Sequence, residues 1–339
     1  MKSLRLAAFP IAAVYGLITA FRNYLYDKQI LKSKSYDLPV ICVGNLSTGG
    51  TGKSPMIEYL LGFLSEMYQV GVLSRGYGRK TKGYLEVTLD HGSREVGDEP
   101  LQIKKKFPDV KVVVCGDRRE GIERMKSEVE IILMDDGFQH RRVQPSFSMV
   151  LTPYEPLYLD DYLLPMGNLR ESIKGMDRAD MILVTKCPDP VPYAFLQEIE
   201  LRIQQKDHQK LFFSRISYGQ TLIGLTETLP LEYLKDKHFS LVTGIANPKP
   251  LVEFLSHKKF RYDHKKYPDH HHFTTSEITE LKEKEIILTT EKDYMRLQPK
   301  LDKFALYYLP IKTEIMNGQG EFFDLKIKEA IKGFIKSTR

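Results

Sequence analysis

The sequence predicts an α/β fold, a parallel sheet with helices on both faces, joined to a smaller C-terminal α/β domain. Continuous apolar runs of strand length alternate with helical segments from 38 to 188, and fully apolar strands are typical of a parallel sheet that is buried on both faces. A second pattern of strand, glycine turn and helix begins at 238. A chain of 339 residues is long enough for two cores.

The elements of the main domain follow one another in order. The first strand, in 38–47, leads through glycines into a helical pattern at 56–67. A second strand, in 69–79, ends in another glycine-rich turn, and 110–125 has the pattern of a strand followed by a helix. Three further apolar strands are expected in 129–140, 148–154 and 180–188.

The C-terminal part is less regular. The pattern loosens from 212 to 236, where we expect a linker, and it resumes in 238–255. Residues 285–297 and 304–310 have the pattern of further strands. The predicted organisation is an N-terminal helix over 1–25, a main domain over 26–211, a linker over 212–236 and a smaller domain over 237–339.

The composition is that of a globular protein, with 42% hydrophobic and 28% charged residues. A formal net charge of +6 indicates a mild preference for anionic partners such as phospholipid or nucleotide. It is not the concentrated basic patch of a nucleic-acid binder, so we expect no nucleic acid partner. The widely spaced Cys42, Cys115 and Cys187 predict free thiols in a reducing compartment. No feature indicates an obligate protein partner.

The stretch "VGNLSTGGTGKSPM" at 43–56 lies between the first strand and the first helix. A phosphate-binding P-loop has the pattern Gly, four residues, Gly-Lys-Ser/Thr. Ser47 occupies the position of the first glycine. An ordinary glycine-rich turn is the alternative, but the flanking strand and helix favour a nucleotide site. We expect the site to consist of Ser47, Thr48, Gly49, Gly50, Thr51, Gly52, Lys53 and Ser54.

The parts of this loop have chemical roles in binding ATP and Mg²⁺. Glycines let backbone N–H groups crowd around phosphate oxygens, and the following helix directs its positive end at them. We expect Lys53 to reach the β- and γ-phosphates and the Ser54 hydroxyl to ligate magnesium. The fold class is therefore a P-loop NTPase-type sheet.

Asp135 and Asp136 end the apolar strand in "IILMDD". Ligands of open α/β sheets bind at the carboxyl edge of the strands. We expect one of these two carboxylates to hold Mg²⁺, directly or through water. The alternative is that they cap the next turn, as a lone Asp often does.

The N-terminal segment from Leu6 to Phe21 carries no charge. It is shorter than the roughly 20 apolar residues of a spanning helix, and Pro10 interrupts its first turns. A signal peptide has a similar basic start and short apolar core, but a nucleotide loop follows soon after and ATP is a cytosolic ligand. We expect an uncleaved helix in the membrane interface. A buried first helix of a soluble domain is the alternative.

Basic residues flank this segment, and an interfacial helix uses such residues to contact anionic headgroups. Lys2 and Arg5 precede it and Arg22 follows. We expect the side chains that face the headgroups to be Lys28, Lys32 and Lys34.

A set of short motifs occurs in a fixed order: "GGTGKSP", "SRGYGR", "GDEP", "DDGFQH", "LLPMGNLRES", "TGIANP", "PDHHHF" and "TTEKD". Together they resemble the tetraacyldisaccharide 4′-kinase family of the lipid A pathway of Gram-negative bacteria. The resemblance extends from the N-terminal helix to about residue 297, and motifs such as "DDGFQH" are distinctive. The non-glycine at Ser47 resembles this family's own variant of the loop.

The resemblance implies a function. The family transfers the γ-phosphate of ATP to the 4′-hydroxyl of a tetraacylated glucosamine disaccharide 1-phosphate, which gives lipid IVA. It implies a P-loop kinase domain over 26–211 and a smaller C-terminal domain that closes over the site. It also implies a membrane-associated enzyme at the cytoplasmic face of the inner membrane.

Asp98 in "GDEP" is the candidate catalytic base. From the residues alone, Asp98 is also a good N-cap of a following helix, and the resemblance favours the catalytic role. His270 in "PDHHHF" matches the family's Asp-His pattern and is expected to orient or tune Asp98. His271 is the substitute if the register is shifted by one residue. Adjacent histidines rarely converge on one zinc ion, so we expect no zinc site.

Three arginines and one tyrosine beyond strand ends are candidate substrate ligands. We expect them to bind the substrate's 1-phosphate or the transferring phosphate, or to be surface arginines. These candidates are Arg75, Tyr77 and Arg79 in "SRGYGR" and Arg170 in "GNLRES".

Two other functions fit parts of the sequence. A nucleotide-driven regulatory switch, such as a metal-insertion GTPase, has the same sheet and loop but carries a guanine-reading motif. Lys186 in "VTKCP" lacks the Asn and Asp of that motif. A soluble kinase of a small metabolite leaves the apolar N-terminal segment without a purpose.

Overall fold

The computed structural model describes residues 8–301 and 305–338. The expectations for Lys2, Arg5 and Leu6 lie outside these residues. Within them the chain forms two sheets, one of nine strands and one of six.

The nine-stranded sheet carries the phosphate loop at its centre. Its strands are β1 (Val40–Asn45), β2 (Val70–Ser74), β3 (Leu85–Glu86), β4 (Lys111–Val114), β5 (Ile131–Asp135), β6 (Phe147–Pro153), β7 (Met181–Thr185), β8 (Lys210–Tyr218) and β15 (Ile311–Ile315). Their order is β15-β8-β7-β6-β1-β5-β2-β4-β3. All neighbours are parallel except the two edge pairs, β15 with β8 and β3 with β4. The predicted fold class is confirmed.

Helices cover both faces of this sheet, as the apolar strands predict. Along β1, Ile41 and Val43 pack into one core and Cys42 packs into the other, because successive side chains point to opposite faces. The helices that contribute to this part are α1 (Phe9–Asp27), α2 (Lys53–Leu64), α3 (Ser93–Val96), α4 (Asp98–Lys106), α5 (Arg118–Met125), α6 (Tyr193–Ile203) and α10 (Gly320–Thr338).

The six-stranded sheet forms the smaller unit, with two cores of its own. Its strands are β9 (Thr221–Ile223), β10 (Thr228–Pro230), β11 (His238–Thr243), β12 (Arg261–Lys266), β13 (Ile287–Thr289) and β14 (Leu306–Tyr308), in the order β10-β9-β14-β13-β11-β12. Its helices are α7 (Lys249–His257), α8 (Thr275–Lys282) and α9 (Glu291–Leu297).

The chain departs from the predicted division in two places. The expected linker over 212–236 begins inside β8, where Phe212 is fully buried in a core of the nine-stranded sheet. The expected C-terminal domain over 237–339 does not stay in the second sheet, since β15 pairs with β8 and α10 buries Phe323 and Ile327 against the first sheet. The chain therefore crosses from the first unit to the second and returns.

The expected strand over 285–297 is also shorter than predicted. It covers only Ile287–Thr289, and α9 follows directly. The Thr290 side chain accepts a hydrogen bond from the Asp293 N–H and so caps the helix.

Helix α1 lies against the first unit with one face and leaves the other exposed. Tyr15 donates a hydrogen bond to the Arg170 carbonyl at 2.7 Å, and Asn23 donates to Glu171 at 2.7 Å. On the other face Leu17 is 72% exposed, and Ile11 and Phe21 are exposed as well. The alternative of a buried first helix is therefore wrong. In the described part of the chain, we find no helix with the length and apolar character to span a membrane.

Candidate active site

The phosphate loop connects β1 to α2 and is held from two neighbouring strands. Asn45 at the end of β1 donates a hydrogen bond to the Thr51 hydroxyl at 2.8 Å. Thr185 at the end of β7 donates to the Thr51 carbonyl at 2.7 Å, and Lys186 donates to the Gly50 carbonyl. These contacts fix the loop without occupying its backbone N–H groups, as anion binding requires.

The backbone explains where this loop needs glycine. Gly49 and Gly52 have φ of 102° and 91°, values that side-chain-bearing residues rarely adopt. Ser47, in contrast, forms an antiparallel bridge with Leu169, and the Thr48 N–H donates to the Asn168 carbonyl at 2.7 Å. Because the backbone is paired at Ser47, glycine is not required there.

Lys53 and Arg170 converge on Asp136. The Lys53 Nζ lies 3.5 Å from Asp136 Oδ1, and Arg170 Nη1 lies 2.9 Å from the same oxygen. Burial raises the pKa of Asp136, but the charges of Lys53 and Arg170 outweigh burial and lower it. Arg170 is thus brought close to Lys53 of the phosphate loop through their shared contact with Asp136.

Asp135 is the last residue of β5 and is almost fully buried. Its Oδ2 accepts a hydrogen bond from Ser74 at 3.0 Å, while its Oδ1 is buried without a hydrogen-bond partner among the described residues. Burial, followed by the charge of Glu99, raises the pKa of Asp135 to about 6. An unpartnered buried carboxylate oxygen beside a second acid is a fitting ligand for a divalent cation.

Mg²⁺ needs few protein ligands, because nucleotide phosphates and water complete its octahedron. The described residues contain no group of three or more His, Cys, Asp or Glu side chains that would hold a metal by themselves. The Ser54 hydroxyl with Asp135 or Asp136 is a set of the right size for magnesium bound with ATP.

Glu99 and Lys292 belong to this site, and the sequence analysis missed both. Glu99 in the first turn of α4 is half-buried, and Lys292 of α9 donates a hydrogen bond to its carboxylate. Burial raises the pKa of Glu99, and Lys292, Lys53 and a hydrogen bond from Ser54 together lower it. The signal was present, since Glu99 follows Asp98 in "GDEP" and Lys292 lies in "TTEKD".

Asp98 begins α4 but does not cap it. The N-cap is Gly97, with φ of 92°, and no side-chain cap bond is present. The Asp98 carboxylate instead lies 3.1 Å from His270 Nδ1 and accepts hydrogen bonds from Arg296. Burial raises the pKa of Asp98, but the bonds from His270 and Arg296 outweigh it and hold the pKa well below its usual range. The helix-cap alternative is wrong.

His270 and His271 are adjacent in the chain but contact different residues. The hydrogen bond to Asp98 raises the pKa of His270, and the Tyr77 ring lies 6.1 Å from the His270 ring. His271 points elsewhere, because its Nε2 is 2.9 Å from Glu277 and its ring stacks on Tyr267. The structure thus brings His270, and not His271, to Asp98.

Arg296 is a further residue that the sequence analysis missed. It is buried, and besides Asp98 it contacts Asp293 through Nη1 at 3.1 Å. Asp293 in turn accepts hydrogen bonds from the Gly244 N–H at 2.8 Å and from Thr290 at 2.7 Å. Residues of the motifs "TGIANP" and "TTEKD" therefore meet at Asp293, on the far side of Arg296 from Asp98. This position explains why both motifs occur among those that resemble the family.

The remaining candidate arginines differ in their placement. Arg79 donates hydrogen bonds to the carbonyls of Val114 at 3.2 Å and Gly83 at 2.6 Å. Its guanidinium therefore supports the turn after β2. Arg75 is exposed and makes no side-chain hydrogen bond within the described residues.

The site combines a P-loop between a central parallel strand and a helix, acids at the end of the adjacent strand, and a contact between Asp98 and His270. This combination defines a P-loop phosphotransferase. The family model described as tetraacyldisaccharide-1-P 4′-kinase matches residues 4–331. The chain belongs to this family.

Individual relatives agree with this assignment. The chain is 45% identical over 338 residues to a tetraacyldisaccharide 4′-kinase of Flavobacterium johnsoniae, covering 98% of each chain. It is 41% identical to a protein of the same name from Bacteroides thetaiotaomicron, covering 94% of this chain and 91% of the relative. The crystal structure of LpxK from Aquifex aeolicus in complex with ATP has a TM-score of 0.79 and 32% identity, covering 98% and 99% of the two chains.

Proposed function

We propose that this protein is an ATP-dependent kinase that phosphorylates the 4′-hydroxyl of a tetraacylated glucosamine disaccharide 1-phosphate and so forms lipid IVA. The observation that carries the proposal is the position of Asp98. It lies beside Glu99, whose pKa is lowered by Lys292 and also by Lys53 and Ser54 of the phosphate loop, and it meets His270 from the second unit. A hydroxyl group bound between Asp98 and the loop faces the γ-phosphate.

The nucleotide is held by charge and by the backbone. Loop N–H groups and the start of α2 bind the phosphates, and Lys53 neutralises the charge that develops between the β- and γ-positions. Ser54 with Asp135 or Asp136 would hold Mg²⁺, which when bound neutralises charge on the phosphate oxygens. Arg170 stabilises charge on the transferring group from the side of Asp136.

Asp98 and His270 handle the proton of the acceptor hydroxyl. With its lowered pKa, Asp98 stays ionised and is a weak base. A weak base suffices because the transition state of phosphoryl transfer is loose, so the hydroxyl proton leaves late. Asp98 therefore orients the hydroxyl and accepts its proton, and His270 stabilises the carboxylate that does so.

The exposed apolar face of α1 supports an acylated substrate presented at a membrane. Its large side chains include Ile11, Leu17 and Phe21, and such a face is favourable in the bilayer interface. We propose that the protein works at the cytoplasmic face of the inner membrane, where ATP is available. A soluble kinase of a small metabolite has no use for this face.

A transfer assay tests the function. Purified protein in neutral detergent, supplied with Mg²⁺ and γ-labelled ATP, is expected to label the acylated disaccharide 1-phosphate, and the label should resist removal of the 1-phosphate. Lys53→Ala and Ser54→Ala are expected to abolish transfer, since both act on the phosphates or their metal. ATP turnover that is equal with and without the lipid acceptor would contradict the proposal.

A further inference from the structure

The backbone of residues 168–171, here called the 168–171 strip, is paired with the phosphate loop. Within the strip, the Arg170 N–H donates a hydrogen bond to the Leu46 carbonyl at 2.8 Å. Ser47 and Thr48 are paired with the same strip. Because each of these contacts removes backbone freedom from the first residues of the loop, the strip holds the loop in one arrangement.

Helix α1 is bonded to the backbone of this strip. The half-buried Tyr15 hydroxyl donates a hydrogen bond to the Arg170 carbonyl at 2.7 Å. Burial, followed by the charge of Glu171, raises the pKa of Tyr15, so the hydroxyl keeps the proton that it donates. Arg170 thus has its N–H bonded to the loop and its carbonyl bonded to α1. A displacement of α1 at Tyr15 therefore acts on the phosphate loop through one residue.

The same helix packs closely on the segment that precedes the strip. A Cβ atom on Gly16 would lie 2.7 Å from Leu163 Cδ1, so a larger residue at this position would push the two segments apart. Leu163 in turn forms a β-bridge with Leu169 of the strip. Glycine at position 16 therefore lets α1 lie directly against the segment that carries the strip.

A second route leads from α1 through side chains to the guanidinium of Arg170. The Asn23 amide donates to Glu171 Oε2 at 2.7 Å, and Glu171 is almost fully buried. Glu171 Oε1 accepts a hydrogen bond from Gln139 Nε2 at 3.1 Å, and Gln139 Oε1 accepts one from Arg170 Nη1 at 3.2 Å. The same Arg170 nitrogen contacts Asp136. Each member of this chain bonds to the next, so the position of the guanidinium depends on contacts that begin at Asn23.

The two middle members of this chain have their hydrogen-bonding groups committed. Gln139 donates its other amide hydrogen to the Asn45 carbonyl at 2.8 Å, at the end of β1. Glu171 Oε2 also accepts a hydrogen bond from Arg178 at 2.7 Å. A buried polar network whose members are all satisfied is rigid. The network therefore holds the Arg170 guanidinium in one place beside the phosphate loop.

We propose that Tyr15 and Asn23 of α1 are positioning residues of the phosphotransfer site, Tyr15 for the backbone of the phosphate loop and Asn23 for the guanidinium of Arg170. The role of Asn23 rests on the proposed function, in which Arg170 acts on the transferring phosphate. The role of Tyr15 requires only that the loop bind a nucleotide. Helix α1 thereby has two faces with separate tasks, since its exposed apolar face is the one proposed for the membrane and its half-buried polar side chains order the site.

Nucleotide binding without lipid tests the role of Tyr15. Tyr15→Phe removes only the hydroxyl, so the strip loses a restraint and a fraction of the molecules has the loop out of its binding arrangement. We expect Mg²⁺ and ATP to bind about threefold or more weakly, because affinity falls with the fraction of molecules that are competent to bind and the loss of one hydrogen bond shifts such an equilibrium by about this factor. Isothermal titration calorimetry measures the affinity.

Thr19→Ala is the matched control for Tyr15→Phe. Thr19 is also half-buried on α1, but within the described residues its hydroxyl bonds only to the Tyr15 and Gly16 carbonyls of the same helix. This variant should bind ATP as wild type does. Equal ATP affinities of Tyr15→Phe and wild type would overturn the role of Tyr15, and so would equal losses in Tyr15→Phe and Thr19→Ala.

A double-mutant cycle with Arg170 tests the role of Asn23. In the transfer assay in neutral detergent micelles, Asn23→Ala should lower kcat about tenfold and change KM for the lipid less than about twofold, because a misplaced catalytic group costs rate and leaves substrate binding intact. In the Arg170→Ala background the same substitution should lower kcat less than about twofold, since Asn23 acts through Arg170. An equal loss in both backgrounds, or no loss in wild type, would overturn the role of Asn23.

Vesicle binding separates the two faces of α1. Tyr15→Phe and Asn23→Ala leave the exposed apolar side chains of the helix unchanged, so both variants should sediment with phospholipid vesicles as wild type does. A loss of sedimentation in step with the loss of ATP affinity or kcat would assign these residues to membrane contact and overturn the inference. Wild-type protein that transfers no phosphate to the lipid would contradict the proposed function and with it the role of Asn23, whereas the ATP titration decides the role of Tyr15 in either case.

Discussion

The guanidinium of Arg296 and the carboxylate of Asp98 form an ion pair that joins α9 of the second unit to α4 of the first. Arg296 is 4% exposed at its side chain and Asp98 is 13% exposed. The pair therefore does two things: it holds the candidate base ionised, and it ties the smaller unit to the phosphate site. Activity and interdomain stability are consequently linked through one contact.

Removing this arginine should be costly. Arg296→Ala leaves the fully buried Asp293 without its cation and leaves Asp98 with its contact to His270 alone. Breaking a buried pair from one side costs about 3–5 kcal/mol. Urea unfolding should show this loss. Arg202→Ala is the control, because its ion pair with Asp160 is exposed and should contribute less than about 1 kcal/mol. Equal losses for the two variants would contradict a special role for Arg296.

Asp98 and His270 should act as a unit in catalysis. Asp98→Ala is expected to lower kcat by a factor of about 10²–10⁴, the usual contribution of a general base, with little change in ATP affinity. The double variant Asp98→Ala/His270→Ala should be little worse than Asp98→Ala, because coupled catalytic residues are non-additive. Multiplicative losses would instead assign His270 an independent role, and a fall of less than threefold for Asp98→Ala would exclude it as the base.

Asp135 should connect metal binding to stability. Asp135→Asn removes a buried carboxylate whose ionisation is disfavoured by burial and by the charge of Glu99. The variant without nucleotide should therefore be at least as stable as wild type. Its thermal midpoint should rise less than that of wild type when Mg²⁺ and ATP are added, since ligand stabilisation follows affinity. Differential scanning fluorimetry with ATP and a series of Mg²⁺ concentrations measures both effects. Equal Mg²⁺-dependent shifts in the two proteins would exclude Asp135 as a metal ligand.

The sequence predicts the first sheet well because its strands are continuous apolar runs. It fails at β8, where Arg215, Ser217 and other polar residues interrupt the run and the strand is recognised only by its partners β7 and β15. The same limit applies to the site. Asp98 and Arg296 are separated by 198 residues, and nothing local to either indicates that they meet. Local motifs identify the phosphate loop and also contain Glu99 and Lys292. The contacts that Glu99, Lys292 and Arg296 make, in contrast, depend on the docking of the two units.

The exposed face of α1 should mediate membrane association. The structure argues against testing this by deletion, because Tyr15 and Asn23 of the same helix bond to the loop that carries Arg170. Ile11→Ser/Leu17→Ser/Phe21→Ser changes only exposed side chains and should release the protein from vesicles while nucleotide binding is retained.

Leu201→Ser is the matched control for α1, since Leu201 is an exposed leucine on α6. It should leave vesicle binding unchanged. Co-sedimentation with vesicles and nucleotide titration give the two measurements. A triple variant that sediments as well as wild type would exclude the interfacial role of α1.

The pH dependence of stability should reveal a second contact between the units. Lys106 lies 2.6 Å from Glu58 of α2 and 3.4 Å from Glu291 of α9, and burial, followed by the charge of Glu58, raises the pKa of Glu291 to about 7. In the unfolded chain a Glu has a pKa near 4.3. Between this pKa and that of the folded state, the folded protein binds more protons than the unfolded chain. Its free energy of unfolding therefore rises as the pH falls. Wild type should therefore gain on the order of 1–3 kcal/mol relative to Glu291→Gln between about pH 8 and pH 5. Urea unfolding of both proteins at the two pH values measures this difference, and the titrating groups that do not interact with Glu291 cancel in it. A difference that does not change with pH would show that Glu291 is ionised throughout.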